Sequence, residues 1–203
     1  MHRRRGAFLA AAGAFVLLAW QAQVAQAATD LAGSASGSAQ HCAVGLSATS
    51  ADGTAASEPA SELTCFDTFA ESIDFATGGR LTLAPDATSV DEAQLSKAGA
   101  ASSVDAQVSR PLLGVEYQNT GYGGNSLVLY GSSGTGCYAG DWYGFPSMAS
   151  LGFDNRISSA KMYSNCLGKH HDGTSYTGSY IYCDSSCSSM GSMNDRTSSI
   201  KFI

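Results

Sequence analysis

The fold of this chain is decided by a phrase that the sequence contains twice, FDNRISSAKM at residues 153–162 and MNDRTSSIKF at residues 193–202. Each copy joins an Asp to an Asn, skips two residues, and then has two serines before an apolar residue. Short acids, amides and hydroxyls either form tight turns or bind hard cations. After the second serine, Lys alternates with apolar residues, which is the period-two pattern of a strand. The phrase therefore predicts an oxygen-rich corner that leads into a strand.

A second repeated element precedes each copy of the phrase. YQNTGYGG at residues 117–124 consists of an aromatic residue, four further residues, a second aromatic residue, one residue and a glycine. HDGTSYTG at residues 171–178 repeats this frame, with His171 in the first aromatic position. The two rings can stack over a folded turn, and the glycine can take a positive φ that other residues resist. The order of frame, strand and phrase occurs twice, which predicts two copies of one hairpin-based unit.

Over residues 111–203 the chain resembles the βγ-crystallin superfamily, because the frame and the phrase match two signatures of that family. These are the aromatic-x4-aromatic-x-Gly element of its Greek-key motif and the calcium signature [Asn/Asp]-[Asn/Asp]-x-x-[Ser/Thr]-Ser of its microbial members. The resemblance implies an all-β fold in which two Greek-key motifs form a sandwich. The chain departs from the pattern at His171, and its first unit carries the longer loop GTGCYAGDWYGFPSMAS at residues 134–150.

The resemblance also implies two calcium sites in which the two phrases exchange ligands. Ca²⁺ takes six to eight oxygens from carboxylates, amides, carbonyls and hydroxyls. Since each phrase supplies one carboxylate, we expect weak affinity, on the order of 10⁻⁵ to 10⁻³ M. From the residues alone, an alternative stays open, in which the Asp-Asn pairs form turns and the serines cap corners without a metal. The resemblance assigns acid and amide ligands to Asp154, Asn155, Asn194 and Asp195, exchanged hydroxyls to Ser158 and Ser198, backbone carbonyls to Gln118 and Asp172, and only main chain to Arg156 and Arg196.

Residues 1–27 have the order of a secretory signal peptide, with a basic cluster, an apolar run at residues 7–20 and the small-residue site Ala25-Gln26-Ala27. We predict cleavage after Ala27 and a secreted protein without a membrane span, because no second apolar stretch is long enough. Removal of three of the 11 basic residues leaves 8 against 17 acids, a net charge of −9. This acidity argues against binding to nucleic acid or anionic membranes.

Residues 28–110 form an Ala/Ser/Thr-rich region to which we assign no role, and whether it is cleaved stays open. A short strand is predicted at residues 41–46, and a short helix within TCFDTFAESIDFATGG, residues 64–79, that ends at its two glycines. The six cysteines of an exported chain indicate disulfides. Proximity favours pairing of Cys42 with Cys65, which would bridge a small subdomain. The spacing of Cys183 and Cys187 lacks the histidine partners of a zinc site and indicates a structural role, and which cysteines pair in this half of the chain stays open.

The motifs predict a secreted, monomeric calcium-binding protein whose fold the ion stabilises, and they predict no enzyme. His170-His171-Asp172 resembles an acid–base or metal cluster, but neighbouring strand residues point to opposite faces. A further interpretation is an inert structural protein associated with the cell envelope or the spore.

A different function that the resemblance implies is a secreted protease inhibitor or antimicrobial, toxin-like protein on the same fold. Its partner would be an extracellular protease or an envelope component. The aromatic loop 134–150 would be its binding surface, because aromatic residues concentrate at binding hot spots. The alternative is that these rings cap the sandwich core. The candidate anchors are Tyr138, Trp142, Tyr143 and Phe145.

Overall fold

The structure is a computed structural model that describes residues 39–49, 61–101 and 110–203. The predicted signal peptide at residues 1–27 lies outside these ranges. None of the described helices is long and apolar enough to cross a membrane. The described strands are β1 His41–Leu46, β2 Thr64–Phe66, β3 Leu112–Asn119, β4 Gly123–Gly131, β5 Tyr143–Phe145, β6 Ser159–Met162, β7 Leu167–His171, β8 Tyr180–Asp184, β9 Ser186–Cys187 and β10 Ser199–Phe202, and the α-helices are α1 Phe69–Thr77 and α2 Glu92–Ala101.

Two β-sheets form a sandwich, the first with strand order β2-β1-β4-β3-β6-β9 and the second with strand order β5-β10-β7-β8. The first Greek key comprises β3 to β6, and the second comprises β7 to β10. Each key gives its third strand to the opposite sheet, because β5 pairs with β10 and β9 pairs with β6. This reciprocal exchange confirms the predicted two-key sandwich and brings the two repeated phrases to neighbouring positions.

The N-terminal region extends the first sheet. The predicted strand is confirmed as β1, which pairs parallel with β4 along its whole length and antiparallel with β2. The predicted boundary between residues 110 and 111 stays a prediction, but described residues on both sides of it belong to the same sheet. The long-range pairing of β1 with β4 has no local sequence signal.

The predicted helix is confirmed as α1. Its N-terminus has a capping box, in which the Thr68 side chain accepts from the Glu71 amide and the Glu71 carboxylate accepts from the Thr68 amide. It ends at Gly78, whose φ of 65° suits a residue without a Cβ. The expectation of an all-β chain with a single short helix is wrong in one respect, because α2 is a second helix. Its sequence EAQLSKAGAA has favourable helix propensity but little apolar character to mark it.

Two apolar cores lie on the two sides of the first sheet. The inner core fills the space between the sheets and includes Leu127, Tyr143 and Phe202. The outer core joins α1 and residues 81–90 to the outward face of β3 and β4. The outward face of the first sheet is therefore packed against the N-terminal region.

Three disulfides join the six cysteines, and the predicted pairing of Cys42 with Cys65 is confirmed. This bridge links β1 to β2. The other pairs are Cys137–Cys166 and Cys183–Cys187, neither of which the sequence had specified. Cys183 and Cys187 therefore have a structural role, as predicted.

Candidate metal-binding site

The two aromatic frames fold as equivalent hairpins. The Tyr117 and Tyr122 rings meet edge to face with centroids 5.7 Å apart, and His171 meets Tyr176 in the same way at 6.3 Å. Tyr122 and Tyr176 both have positive φ, 65° and 62°. Non-glycine residues adopt this region at a cost, so the surrounding contacts must hold each turn in place.

The second serine of each phrase supplies those contacts. Ser159 Oγ donates to the Asn119 carbonyl at 2.6 Å and accepts from the Tyr122 amide at 2.9 Å. Ser199 Oγ donates to the Gly173 carbonyl at 2.6 Å and accepts from the Tyr176 amide at 3.0 Å. In both keys the corner serine therefore closes two backbone hydrogen bonds of its hairpin.

The two phrases form corners that face each other through reciprocal backbone hydrogen bonds. The Asn155 amide donates to the Thr197 carbonyl, and the Asp195 amide donates to the Ile157 carbonyl, both at 3.0 Å. Asn155 and Asp195 both have positive φ, 55° and 52°, which Asn and Asp tolerate better than most residues. We call this arrangement, residues 154–158 with residues 194–198, the corner pair.

The first serine of each phrase is anchored to its own hairpin. The Ser158 amide donates to the Tyr117 carbonyl at 2.9 Å, and the Ser198 amide donates to the His171 carbonyl at 2.7 Å. Gln118 and Asp172, the predicted carbonyl ligands, are the residues that follow these two acceptors. The predicted ligands of both keys are therefore positioned by the same backbone frame.

Side-chain contacts then join ligands from different keys. Ser158 Oγ donates to Asp195 Oδ1 at 2.9 Å, across 37 residues of sequence. Asp195 Oδ2 accepts from Asn194 Nδ2 at 2.8 Å, and in the other corner Asp154 Oδ2 accepts from Asn155 Nδ2 at 3.0 Å. A hydroxyl of the first key and a carboxylate of the second therefore contact each other where the two corners meet.

Two buried oxygens of the second corner form no hydrogen bond within the described part of the chain. They are Asn194 Oδ1 and Thr197 Oγ1. A buried polar oxygen without a partner costs free energy, so such atoms are uncommon unless water or an ion reaches them. The amide oxygen of Asn194 is also one of the predicted cation ligands. The donor set of the second corner is thus chemically suited to a hard cation.

The arginine in each phrase contacts the residue after the first aromatic position. Arg196 Nη2 donates to Asp172 Oδ2 at 2.7 Å. With the Gln118 amide oxygen assigned toward Arg156, that oxygen accepts from Arg156 Nη2 at 2.8 Å and from Nε at 3.2 Å. Sequence reasoning gave Arg156 and Arg196 only a main-chain role and missed this contact. The available signal was that both phrases have arginine in the same position.

The His170-His171 pair is divided between two faces, as predicted. His170 Nε2 lies 3.1 Å from both carboxylate oxygens of Glu116 in the inner core. His171 lies instead against the rings of Tyr176 and Tyr180. Burial, with a smaller effect of Lys169, lowers the pKa of His171. Among the residues that the structure describes, no three His, Cys, Asp or Glu side chains converge on one point.

The hypothesis of an aromatic binding loop at residues 134–150 loses half of its anchors. Tyr143 and Phe145 are buried in the inner core, with relative exposures of 0% and 3%. Tyr138 is exposed, and Trp142 is half-buried. Two of the four rings therefore fill the sandwich core and two stay accessible, and a binding role for the loop stays a prediction.

The structure matches microbial and lens βγ-crystallin domains over about 45% of the chain. The N-terminal domain of protein S matches with 20% identity, 45% of this chain, 94% of that chain and a TM-score of 0.36. A βγ-crystallin domain from Clostridium beijerinckii matches with 18% identity, 44% and 95% coverage and a TM-score of 0.35. One from Flavobacterium johnsoniae matches with 22% identity, 45% and 93% coverage and a TM-score of 0.33. No protein-family model and no curated protein matches the chain.

Proposed function

We propose that the corner pair binds two calcium ions and that this binding stabilises the sandwich. One observation carries the proposal: Ser158 of the first key lies 2.9 Å from the carboxylate of Asp195 of the second key. A site made by one phrase would stabilise one turn. A site that draws oxygens from both phrases holds the two keys together, so binding is coupled to the packing of the whole sandwich.

The available oxygens favour calcium among the common hard cations. Asp154, Asn155, Asn194 and Asp195 supply carboxylate and amide oxygens, and Ser158 and Ser198 supply hydroxyls. Ca²⁺ accepts such a mixed set with flexible geometry, whereas Mg²⁺ requires a compact octahedron and keeps its water. The buried Asn194 Oδ1, which has no hydrogen-bond partner among residues 39–49, 61–101 and 110–203, is an oxygen that a bound ion would satisfy. Gln118 and Asp172 would add backbone carbonyls.

Few formal charges imply modest affinity. The corner pair has two carboxylates, Asp154 and Asp195, for two ions, and it also contains the cations Arg156 and Arg196. The Asp172 carboxylate already forms an ion pair with Arg196 and accepts from the Ser179 amide at 2.7 Å. We therefore expect dissociation constants on the order of 10⁻⁵ to 10⁻³ M, the range of extracellular modules.

A ligand that binds only the folded chain stabilises it by mass action. At a free calcium concentration 100 times the dissociation constant, the gain is about 2.7 kcal/mol per site. Thermal melting of the chain in chelator and in rising calcium measures this gain directly. We expect the melting temperature to rise across the millimolar range with calcium and much less with magnesium.

Variants assign that rise to the corner pair. Asp195→Ala combined with Asn155→Ala removes one ligand of each corner and should abolish the calcium-dependent rise. Asp184→Ala is the matched control, because it removes an exposed carboxylate at the end of β8, outside both phrases. A melting temperature that stays constant across millimolar calcium, or an equal loss in the control, would refute the proposal.

We also infer that the protein is secreted as a monomer. Disulfides persist in oxidising compartments, and all six cysteines of the described residues are paired. The signal-peptide pattern predicts a mature N-terminus at residue 28. Sequencing of the exported protein from the culture medium tests the cleavage site, and its elution volume in gel filtration tests the monomer. Retention of the chain in the cell with its leader intact would contradict this inference.

A further inference from the structure

The outward face of the second sheet has a composition that the corner pair does not explain. β10 and β7 pair so that Lys201 lies opposite Lys169, and β7 and β8 pair so that Lys169 lies opposite Tyr182. Tyr180 lies two residues before Tyr182, on the same face of β8. Trp142 immediately precedes β5, the strand at the opposite edge of the sheet. We call these five residues the aromatic–lysine face. The inward residues of the same strands, such as Ile200 and Phe202, belong to the inner core.

The two lysines form a like-charge pair across neighbouring strands, an arrangement that destabilises a sheet. Neither ammonium group forms an ion pair among the described residues. Instead, each ammonium group lies over an aromatic ring. Lys201 Nζ is 4.0 Å from the centroid of the Trp142 ring, and Lys169 Nζ is 3.7 Å from the centroid of the Tyr180 ring. The rings hold the two charges apart, but they supply no negative charge to neutralise them. An anion bound between the lysines would remove the repulsion.

The face is accessible and carries a positive charge on an acidic protein. Tyr180 and Tyr182 are each 49% exposed, with ring centroids 5.4 Å apart. Within the sequences of the four strands the only acid is Asp184, at the far end of β8. Just outside the strands, Asp141 precedes Trp142, and Asp172 follows β7 but is paired with Arg196. The whole chain has a formal net charge of −6, so two lysines against one acid within the strands make this face electrostatically distinct. Long-range attraction would direct an anionic partner to it.

We propose that the aromatic–lysine face binds an acidic polysaccharide. Ring carboxylates of the polymer would contact the ammonium groups of Lys169 and Lys201. The apolar C–H surfaces of its sugar rings would pack on the exposed tyrosines, whose π faces are negative. The face presents tyrosine rings with their hydroxyl groups and two ammonium groups, and Leu167, an aliphatic residue on the same face of β7, lies at its end opposite Asp184. This composition suits a sugar polymer better than an apolar peptide, and the row of Lys201, Lys169 and Tyr182 across β10, β7 and β8 suits an extended chain.

Binding of hyaluronan, a polymer with one carboxylate in each disaccharide, tests the proposal on the full secreted chain. Isothermal titration in chelator separates this face from the calcium sites, and neutral dextran and single-stranded oligothymidylate serve as comparison ligands. We expect binding of hyaluronan only. Lys169→Ala combined with Lys201→Ala should weaken it by about tenfold or more, because the charge contacts of two half-buried lysines are lost.

Lys161→Ala is the matched control. Lys161 has the position of Lys201 in the first phrase, and its Nζ lies 4.9 Å from the Tyr122 ring centroid, but it belongs to the first sheet. The Lys161→Ala variant should bind hyaluronan as the parent chain does. The Tyr182→Ala variant should bind hyaluronan more weakly, with an unchanged melting temperature. Absence of hyaluronan binding, equal binding of dextran, tighter binding of oligothymidylate, or an equal loss in the Lys161 variant would each overturn the proposal.

Discussion

The two Greek keys share one backbone frame but differ in what lies around them. In the first key, the edge of β4 is extended by β1 and β2, and its outward face is packed against α1. In the second key, β8 is the last strand of its sheet, and among the described residues no strand pairs with its outer edge. Its tyrosines are about half exposed. The first key therefore serves as the support for the N-terminal region, and the second presents a surface.

The two corners show a smaller difference of the same kind. Their backbone hydrogen bonds match in pairs, but the acid is the first residue of the Asp/Asn pair in one phrase, Asp154, and the second residue of that pair in the other, Asp195. Only the second position places a carboxylate against the serine of the opposite key, at 2.9 Å. Backbone symmetry thus does not make the two corners chemically equal.

The largest expected effect separates the face of the first sheet that packs against α1 from the aromatic–lysine face of the second sheet. Ile73 of α1 is fully buried in the outer core, so Ile73→Ala should cost about 2–5 kcal/mol of unfolding free energy. Tyr182→Ala on the open face should change it by no more than about 0.5 kcal/mol. Urea denaturation with both variants measures the difference. An equal loss of unfolding free energy in the two variants would mean that the packing of α1 does not stabilise the first sheet.

The next effect tests the shared frame. Ser159→Ala and Ser199→Ala each leave a hairpin carbonyl and amide without their partner, and each should cost about 1–3 kcal/mol. The exposed Ser150, whose hydroxyl donates only to the nearby Ser147 carbonyl at 3.2 Å, supplies the control variant Ser150→Ala. Thermal melting should rank the two corner variants together and the control near the parent. If one corner variant behaved like the control, the two hairpins would not be equivalent.

Calcium affinity should distinguish the two corners. Asp195→Asn removes the carboxylate that contacts Ser158, and we expect it to weaken binding on the order of tenfold at the affected site. Asp154→Asn removes a carboxylate that, within the described residues, accepts from the neighbouring Asn155 side chain and not from the opposite key, so its effect should be smaller. Calorimetric titration of both variants measures the two constants. The opposite ranking would show that the first position carries the stronger ligand.

The smallest expected effect is on the pH dependence of stability. It involves His171, which has the first aromatic position of the second frame. Because burial lowers the pKa of His171 in the folded chain, the unfolded chain binds the proton more readily. The stability that depends on neutral His171 is thus present above its unfolded pKa of 6.5 and is lost as the pH falls below that value. His171→Phe should reduce this loss by about 1 kcal/mol or less between pH 7 and pH 5.5.

Burial also lowers the pKa of His41, which should leave a residual loss of the same sign in that variant. Melting curves in chelator at both pH values give the comparison. An unchanged pH dependence in His171→Phe would show that His171 does not contribute to acid sensitivity.

Local requirements made the two keys predictable from sequence. A turn that needs positive φ, a ring to cover it and a serine to close it leaves a fixed pattern of residues, and that pattern occurs twice. The same reasoning found β1, α1 and the Cys42–Cys65 bridge, whose signals are local or depend on proximity. It placed the eight candidate ligands around two facing corners, although their role in metal binding stays a prediction.

The remaining features depend on contacts between distant residues. The parallel pairing of β1 with β4 brings His41 opposite Ser126, and nothing in either strand specifies that partner. The α2 sequence has too little apolar periodicity to separate it from the Ala-rich region around it. The side-chain contacts of Arg156 and Arg196, and the unpaired oxygen of Asn194, follow from how two corners pack together. A single phrase contains no information about its counterpart.

A crystal structure of the chain grown with excess calcium tests the shared site most directly. Two ions should lie between residues 154–158 and 194–198, and each should contact oxygens from both keys, with Ser158 and Asp195 on the same ion. Corners without bound calcium under those conditions, or ions held by one phrase alone, would contradict the account and leave the corner pair as a purely structural junction.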